Sequence, residues 1–177
     1  MKLKLLTILF AAASLTAFTS CSDDDDDDVK VPASGVPTEV VQSFKAKYPS
    51  IDVSKVKWET KGNYTVAEFS EAANQEELEA WFTTKTGEWA MTETDFGEDL
   101  FLVPAELNAK YYQTEYSSWN IDDMKLYSYP DSTKDRYVFE VNKTGQQDME
   151  LYFTADTYDL VKAIVDTDRV ITPDTAL

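Results

Sequence analysis

The chain has 177 residues, of which 16 are basic and 33 acidic, with a formal net charge of −17. So acidic a surface offers few cations to a phosphate array, which argues against nucleic acid and anionic lipid headgroups as partners and favours a soluble monomer. There is no histidine and only one cysteine, so the commonest general base and metal ligand is missing and no internal disulfide can form.

Residues 1–20 read as a signal peptide. Lys2 and Lys4 precede an apolar stretch from Leu5 to Phe18, and no acid occurs before Asp23. The stretch is shorter than the roughly 20 residues a membrane-spanning helix needs. Thr19 and Ser20 stand directly before Cys21, and Ala17-Phe18-Thr19-Ser20-Cys21 resembles a lipobox. That resemblance implies acylation of Cys21 and cleavage before it, so the membrane would be met through the acyl anchor only.

Residues 21–35 read as the lipidated cysteine and an acidic tether. Asp23, Asp24, Asp25, Asp26, Asp27 and Asp28 repel one another and predict an extended, solvated segment. Cys21-Ser22 followed by this run resembles the tag that exports lipoproteins to the cell surface in one phylum of Gram-negative bacteria. It implies an outer-membrane, surface-exposed protein, with the periplasmic leaflet as the alternative.

The remainder divides into residues 36–102 and residues 103–177, the second ending in a short C-terminal tail. Val36-Pro37 opens the first unit and Val103-Pro104 the second. Each is followed by a helical pattern, Val40, Val41, Phe44 and Tyr48 in one and Leu107, Tyr111 and Tyr112 in the other. Pro49 disfavours helical geometry at Tyr48 and helps to end the first helix. Alternating segments follow: Val53, Val56 and Trp58 correspond to Ile121, Met124 and Leu126. Tyr64-Thr65-Val66 likewise corresponds to Tyr137-Val138-Phe139. The closest match is ungapped and runs from Glu77 to Trp89 against Asp148 to Leu160, aligning Trp81-Phe82-Thr83 with Tyr152-Phe153-Thr154. The pattern predicts an α+β fold of two tandem units, each one helix packed on a four-stranded antiparallel sheet, with the two sheets able to join into one curved sheet.

The Val-Pro start, the Trp-Phe-Thr or Tyr-Phe-Thr strand and the tandem duplication resemble the PepSY-like, β-lactamase-inhibitor-protein-like (BLIP-like) family of secreted bacterial proteins. The resemblance covers about residues 36–165. It implies a non-enzymatic protein whose relatives bind and inhibit other proteins through the open sheet face. The disulfides of the founding inhibitors have no counterpart here.

No cofactor or metal site is expected. Glu76-Glu77 and Asp122-Asp123 leave a carboxylate pair for glycoside hydrolysis open by residue type, with a solvated acidic face as the plainer reading. Strand alternation places Val56, Trp58, Val66, Leu78, Ala80 and Phe82 toward the helix, and Lys57, Thr65, Glu79, Trp81 and Thr83 on the open face. In the second unit Met149, Leu151 and Phe153 point inward, while Tyr127, Tyr129, Val138, Glu140, Glu150 and Tyr152 point outward. Trp81, Tyr152, Tyr127 and Tyr129 are therefore the candidate protein-binding residues. Two alternatives remain for the matched Trp81 and Tyr152: packing under a loop or across the junction of the units, and stacking on a glycan. Trp58 and Trp89 are expected in the core, and Trp119 is expected to close the second helix on its sheet. Asp131-Ser132-Thr133 and Asp174-Thr175-Ala176 resemble O-glycosylation acceptors. The expected function is a surface lipoprotein that binds a protein ligand, such as an envelope enzyme it inhibits; the alternative is a glycan-binding module of the envelope.

Overall fold

The computed structural model describes residues 29–31, 33–70, 77–167 and 170–175. The signal segment, Cys21, Ser22, Asp23 to Asp28 and Glu76 lie outside the described residues. The elements in chain order are β1 (Val29–Val31), α1 (Thr38–Lys47), β2 (Lys57–Lys61), β3 (Tyr64–Ser70), β4 (Glu77–Thr83) and β5 (Trp89–Asp95). They continue with α2 (Ala105–Tyr111), β6 (Asn120–Ser128), β7 (Arg136–Asn142), β8 (Met149–Thr154) and β9 (Leu160–Val165). Every strand pairs antiparallel with its successor, so the nine run in chain order through one sheet. The sheet continues across the middle of the chain, where β5 meets β6 from Thr92↔Ser128 to Asp95↔Lys125.

Pro37 and Pro104 cap the two helices at the N-terminal end, where a missing N–H leaves no intrahelical bond unmade. Helix α1 stops at Tyr48, ahead of Pro49, and the Tyr48 hydroxyl is 2.6 Å from Thr92 Oγ1 on β5. Its Val40 and Phe44 are fully buried, and the Phe44 ring meets Trp58, Phe69 and Phe82 edge-on. Helix α2 buries Leu107 and Tyr111 in a second cluster with Met124, Phe139, Leu151 and Phe153. Burying side chains of this size contributes roughly 1.5–3 kcal/mol each. Tyr112, expected on the buried stripe, is 56% exposed. Consecutive helical residues point about 100° apart, so Tyr111 takes the inward position and Tyr112 cannot share it.

Three further expectations are corrected. The segment assigned to the tether contains a strand, because Val29, Lys30 and Val31 pair with Thr60, Glu59 and Trp58. Val-Lys-Val has the β-branched content an edge strand favours. Val66 and Thr65 lie on the opposite faces from those expected. Val66 pairs directly with Trp81 and Thr65 with Phe82, and directly paired residues share a face. Val53, expected in an alternating strand, belongs to a 3₁₀ turn before β2.

The two halves share irregularities as well as strands. A register shift falls between Trp81 and Phe82 in the β4–β5 pair, and another between Tyr152 and Phe153 in the β8–β9 pair. The following turns use the same hydrogen bonds. Thr83 N–H donates to Glu88 O and Gly87 N–H to Thr83 O; Thr154 N–H donates to Asp159 O and Tyr158 N–H to Thr154 O. Gly87 and Tyr158 both take positive φ, +72° and +56°. At Gly87 a Cβ would sit 2.6 Å from the Glu39 carbonyl carbon in the first turn of α1, so this turn needs glycine twice over. Tyr158 instead packs its side chain against the α2 cluster.

Candidate functional site

Both helical clusters draw on the same strand positions, which leaves the opposite face of the sheet to a different set of residues. β3 sends Val66 and Glu68 there, β4 sends Glu79 and Trp81, and β5 sends Met91 and Glu93. β6 adds Lys125 and Tyr127, β7 Val138 and Glu140, and β8 Glu150 and Tyr152. The registers Glu68↔Glu79, Glu79↔Glu93, Glu93↔Tyr127, Lys125↔Val138 and Val138↔Tyr152 tie these residues into one surface. It has an aromatic zone and an acidic zone.

The aromatic zone gathers all four candidate protein-binding residues into one cluster with Val66, Met91 and Val138. The face assignment of Trp81, Tyr127, Tyr129 and Tyr152 is therefore as expected, but their exposure is not. Trp81 is 1% exposed and Tyr152 2%, and Tyr127 and Tyr129 are also buried. Trp81 and Tyr152 belong to one buried cluster, against which Ile171 of the segment after β9 also packs. With this cover in place the rings present no open face to a partner or a sugar. Tyr64 meets Trp81 edge-on, and the Lys61 ammonium lies 5.3 Å from the centre of the Trp81 ring. Lys162 stands in the same relation to Tyr152, whose hydroxyl donates to the Glu150 carboxylate. Burial pushes the Tyr127 hydroxyl well above the ordinary tyrosine range and Tyr129 up to about 12, where the Asp135 charge adds to the effect. Trp81 Nε1 and Arg136 Nε are buried donors with no hydrogen-bond partner among the described residues.

One part of this zone was not foreseen. Ile171, from the segment after β9, packs against the cluster, and Ile171 and Thr175 line a small cleft with Tyr127, Tyr129, Arg136 and Tyr152. The Tyr64 hydroxyl donates to Asp174 Oδ1 at 2.9 Å. The segment closes on itself through Thr175 N–H to Thr172 O and Thr172 N–H to Thr175 Oγ1. No periodicity in the sequence signals a contact of this kind, which joins residues 110 apart.

The acidic zone sets Glu68, Glu79 and Glu93 directly opposite one another on three successive strands, with Glu77 opposite Asp95 beside them. Like charges placed directly opposite in this way are destabilising. Lysines offset part of the cost: Lys57 reaches Glu68 at 3.2 Å and Lys61 reaches Glu79 at 3.3 Å. Lys125 lies 2.9 Å from Asp123, 3.4 Å from Glu140 and 3.9 Å from Glu93. Burial pushes the Glu93 carboxyl up to about 7, Glu79 and Asp95 add to the shift, and Lys125 opposes it. Asp95 and Glu140 are raised by burial with a contribution from Asp123. Burial works against the Lys125 ammonium, but Asp123, Glu93 and Glu140 outweigh it and hold its pKa above the ordinary value. A groove of about 350 Å³ borders this zone, lined by Lys57, Glu68, Glu77, Glu79, Glu93 and Asp95. Asp122 is exposed, while Asp123 is ion-paired with Lys125. No cluster of residues suited to a metal ion occurs among the described residues.

Trp58 sits in the α1 cluster, and Trp89 packs against it beneath the Lys47 ammonium, 3.2 Å from the ring centre. Trp119 packs with Tyr116 against the α2 cluster, closing that end as expected. Asp131 of the first O-glycosylation-like site accepts from Thr133 N–H and lies in an exposed turn.

The pattern of the family described as "Putative beta-lactamase-inhibitor-like, PepSY-like" matches the chain over residues 25–73 and 63–158. Among solved structures, a DUF2874-family protein from Bacteroides ovatus is 24% identical with a TM-score of 0.69, over 80% of this chain and 96% of that one. A BLIP-like protein from Bacteroides fragilis is 26% identical with a TM-score of 0.67, over 77% of this chain and 92% of that one. A DUF2874-family protein from Bacteroides uniformis is 25% identical with a TM-score of 0.63, over 73% and 88%. No curated protein matches the chain.

Proposed function

Since the chain belongs to the PepSY-like family, we propose that it is a non-enzymatic protein-binding module that restrains its partner in the manner of an inhibitor. Binding takes place on the helix-free face of the sheet, and the partner presents a cationic surface to the acidic zone. The observation that carries this reading is the alignment of Glu68, Glu79 and Glu93 across neighbouring strands. The arrangement opposes folding, and lysines relieve it only in part. A cationic partner would relieve it further, and charge complementarity of this kind governs partner choice and association rate. The likeness to a BLIP-like protein supports the general role.

In this reading residues 36–102 and 103–177 are copies of one unit, which the matched register shifts and turns support. A lipid on Cys21 holds the monomer at the outer membrane, with the acidic run after it directing it to the cell surface. Loss of membrane association in a Cys21→Ala chain would test the anchor.

The binding reading is tested by affinity capture from envelope extracts with the unaltered chain and a Glu68→Gln/Glu79→Gln variant. The expected result is a basic protein held by the unaltered chain, released by raised salt and lost with the variant. Equal capture by both chains would contradict the acidic zone's role.

A further inference from the structure

We propose that the aromatic zone is a peptide-binding site, filled in cis by the chain's own C-terminal segment, which accepts from a partner protein a segment carrying an aliphatic residue and, three residues later, a carboxylate. The proposal rests on the protein-binding reading above and names a second contact for it.

The occupant defines the chemistry. Ile171 is the one contributor to the cluster from beyond β9 among the described residues, and it lies over a surface otherwise built from the sheet and Tyr129 beside it. Three residues on, the Asp174 carboxylate accepts from the Tyr64 hydroxyl at 2.9 Å. Thr172 and Thr175 bond to each other and fold the stretch between them into a turn, so the segment meets the sheet as a short preformed unit. Its described contacts with the sheet are side-chain contacts at Ile171 and Asp174, and Thr175 lines the cleft beside them. It adds no strand to the sheet, whose order ends at β9. A segment held by a few side chains over a buried aromatic floor is held as a ligand is held, and a competitor offering the same groups can replace it.

The floor also retains capacity that the tail leaves unused. Arg136 Nε is a buried donor without a partner among the described residues. Arg136 lines the cleft that Ile171 and Thr175 close. Unmet donors cost free energy in the covered state and match a ligand rich in carbonyl or carboxylate oxygen. A peptide backbone with an acidic side chain has both.

The test uses the full chain carrying Ile171→Asp and Asp174→Asn, changes confined to the tail that remove its two contacts and leave every sheet residue unaltered. A fluorescently labelled synthetic peptide of residues 170–177 is the probe, followed by anisotropy. The variant is expected to bind it saturably. The unaltered chain should bind at least tenfold more weakly, because its own tail competes, and a peptide bearing the same two substitutions should bind neither. Adding Tyr64→Phe to the variant should weaken the peptide by about the same factor as Asp174→Asn in the peptide alone, with no further loss when the two are combined. Absence of binding to a folded variant, or equal binding to both chains, would overturn the proposal. So would a variant that no longer folds, since a segment the fold depends on is not a displaceable ligand. The probe is the chain's own sequence, so this failure is distinct from a failure to capture a basic partner on the acidic zone.

Discussion

The two faces of the sheet are built on different principles. The helix side consists of two apolar clusters, one around Phe44 and one around Leu107 and Tyr111, in which aliphatic and aromatic side chains interlock. Its polar groups are few and mostly satisfied: the Tyr111 hydroxyl is within hydrogen-bond distance of Tyr116 O and Trp119 O, and Tyr48 meets Thr92, while Trp58 Nε1 and Asn108 Oδ1 are the exceptions among the described residues. The other side combines buried tyrosines, carboxylates facing carboxylates, and a tail laid over a ring cluster. The first arrangement stabilises the fold. The second includes features that oppose folding, and such features persist where they serve recognition.

Substitutions on the two sides should therefore differ in sign as well as size. Phe44→Ala or Phe139→Ala opens a cavity under a helix and should cost about 3–5 kcal/mol in denaturant unfolding. A cost under about 1 kcal/mol would mean that the helical clusters do not hold the fold.

Glu93→Gln should act in the opposite direction. The carboxyl is pushed up to about 7 in the folded chain, so between the ordinary glutamate range and about 7 the folded state holds a proton that the unfolded state has lost. Stability should thus fall as pH rises through that window and stay lower above it. At roughly 1.4 kcal/mol per pKa unit, Glu93→Gln should stabilise the chain by about 1–3 kcal/mol at pH 8 and change it little at pH 5. Melting curves at the two pH values would show it, and a variant with unchanged pH dependence would remove Glu93 as its source.

Gly87→Ala returns to the helix side, where the added Cβ would strike the Glu39 backbone and positive φ is already unfavourable. The expected loss is more than about 1 kcal/mol. The smallest effect should come from Tyr48→Phe, which removes the hydrogen bond to Thr92 and should cost about 1 kcal/mol in the same unfolding assay.

Much of this contrast was legible in the order of residues. The Val-Pro starts and the buried Phe44 and Leu107 follow from local spacing, and the placement of Trp81 and Tyr152 away from the helices follows from strand alternation. Val66 is apolar and so is expected toward the helix, yet it pairs with Trp81 on the other face. Ala67 and Phe69, buried beside Phe44, fix the alternation the other way. Ile121 and Met124 are three apart yet share the α2 cluster, because a register shift between Ile121 and Asp123 realigns β6. The burial of Trp81, Tyr127, Tyr129 and Tyr152 could not be read so directly. It depends on a seven-strand neighbourhood and on Ile171, and no short-range pattern reports either. The facing glutamates likewise become visible only once the β3–β4–β5 register is known.

The most direct test places a photo-crosslinking residue at Glu79, on the acidic zone, or at Gln42, exposed on α1, and irradiates the chain in intact envelopes. Cross-linking to a partner from position 79 and none from position 42 is the predicted result. Cross-linking from position 42 alone, or equally from both, would contradict recognition through the helix-free face.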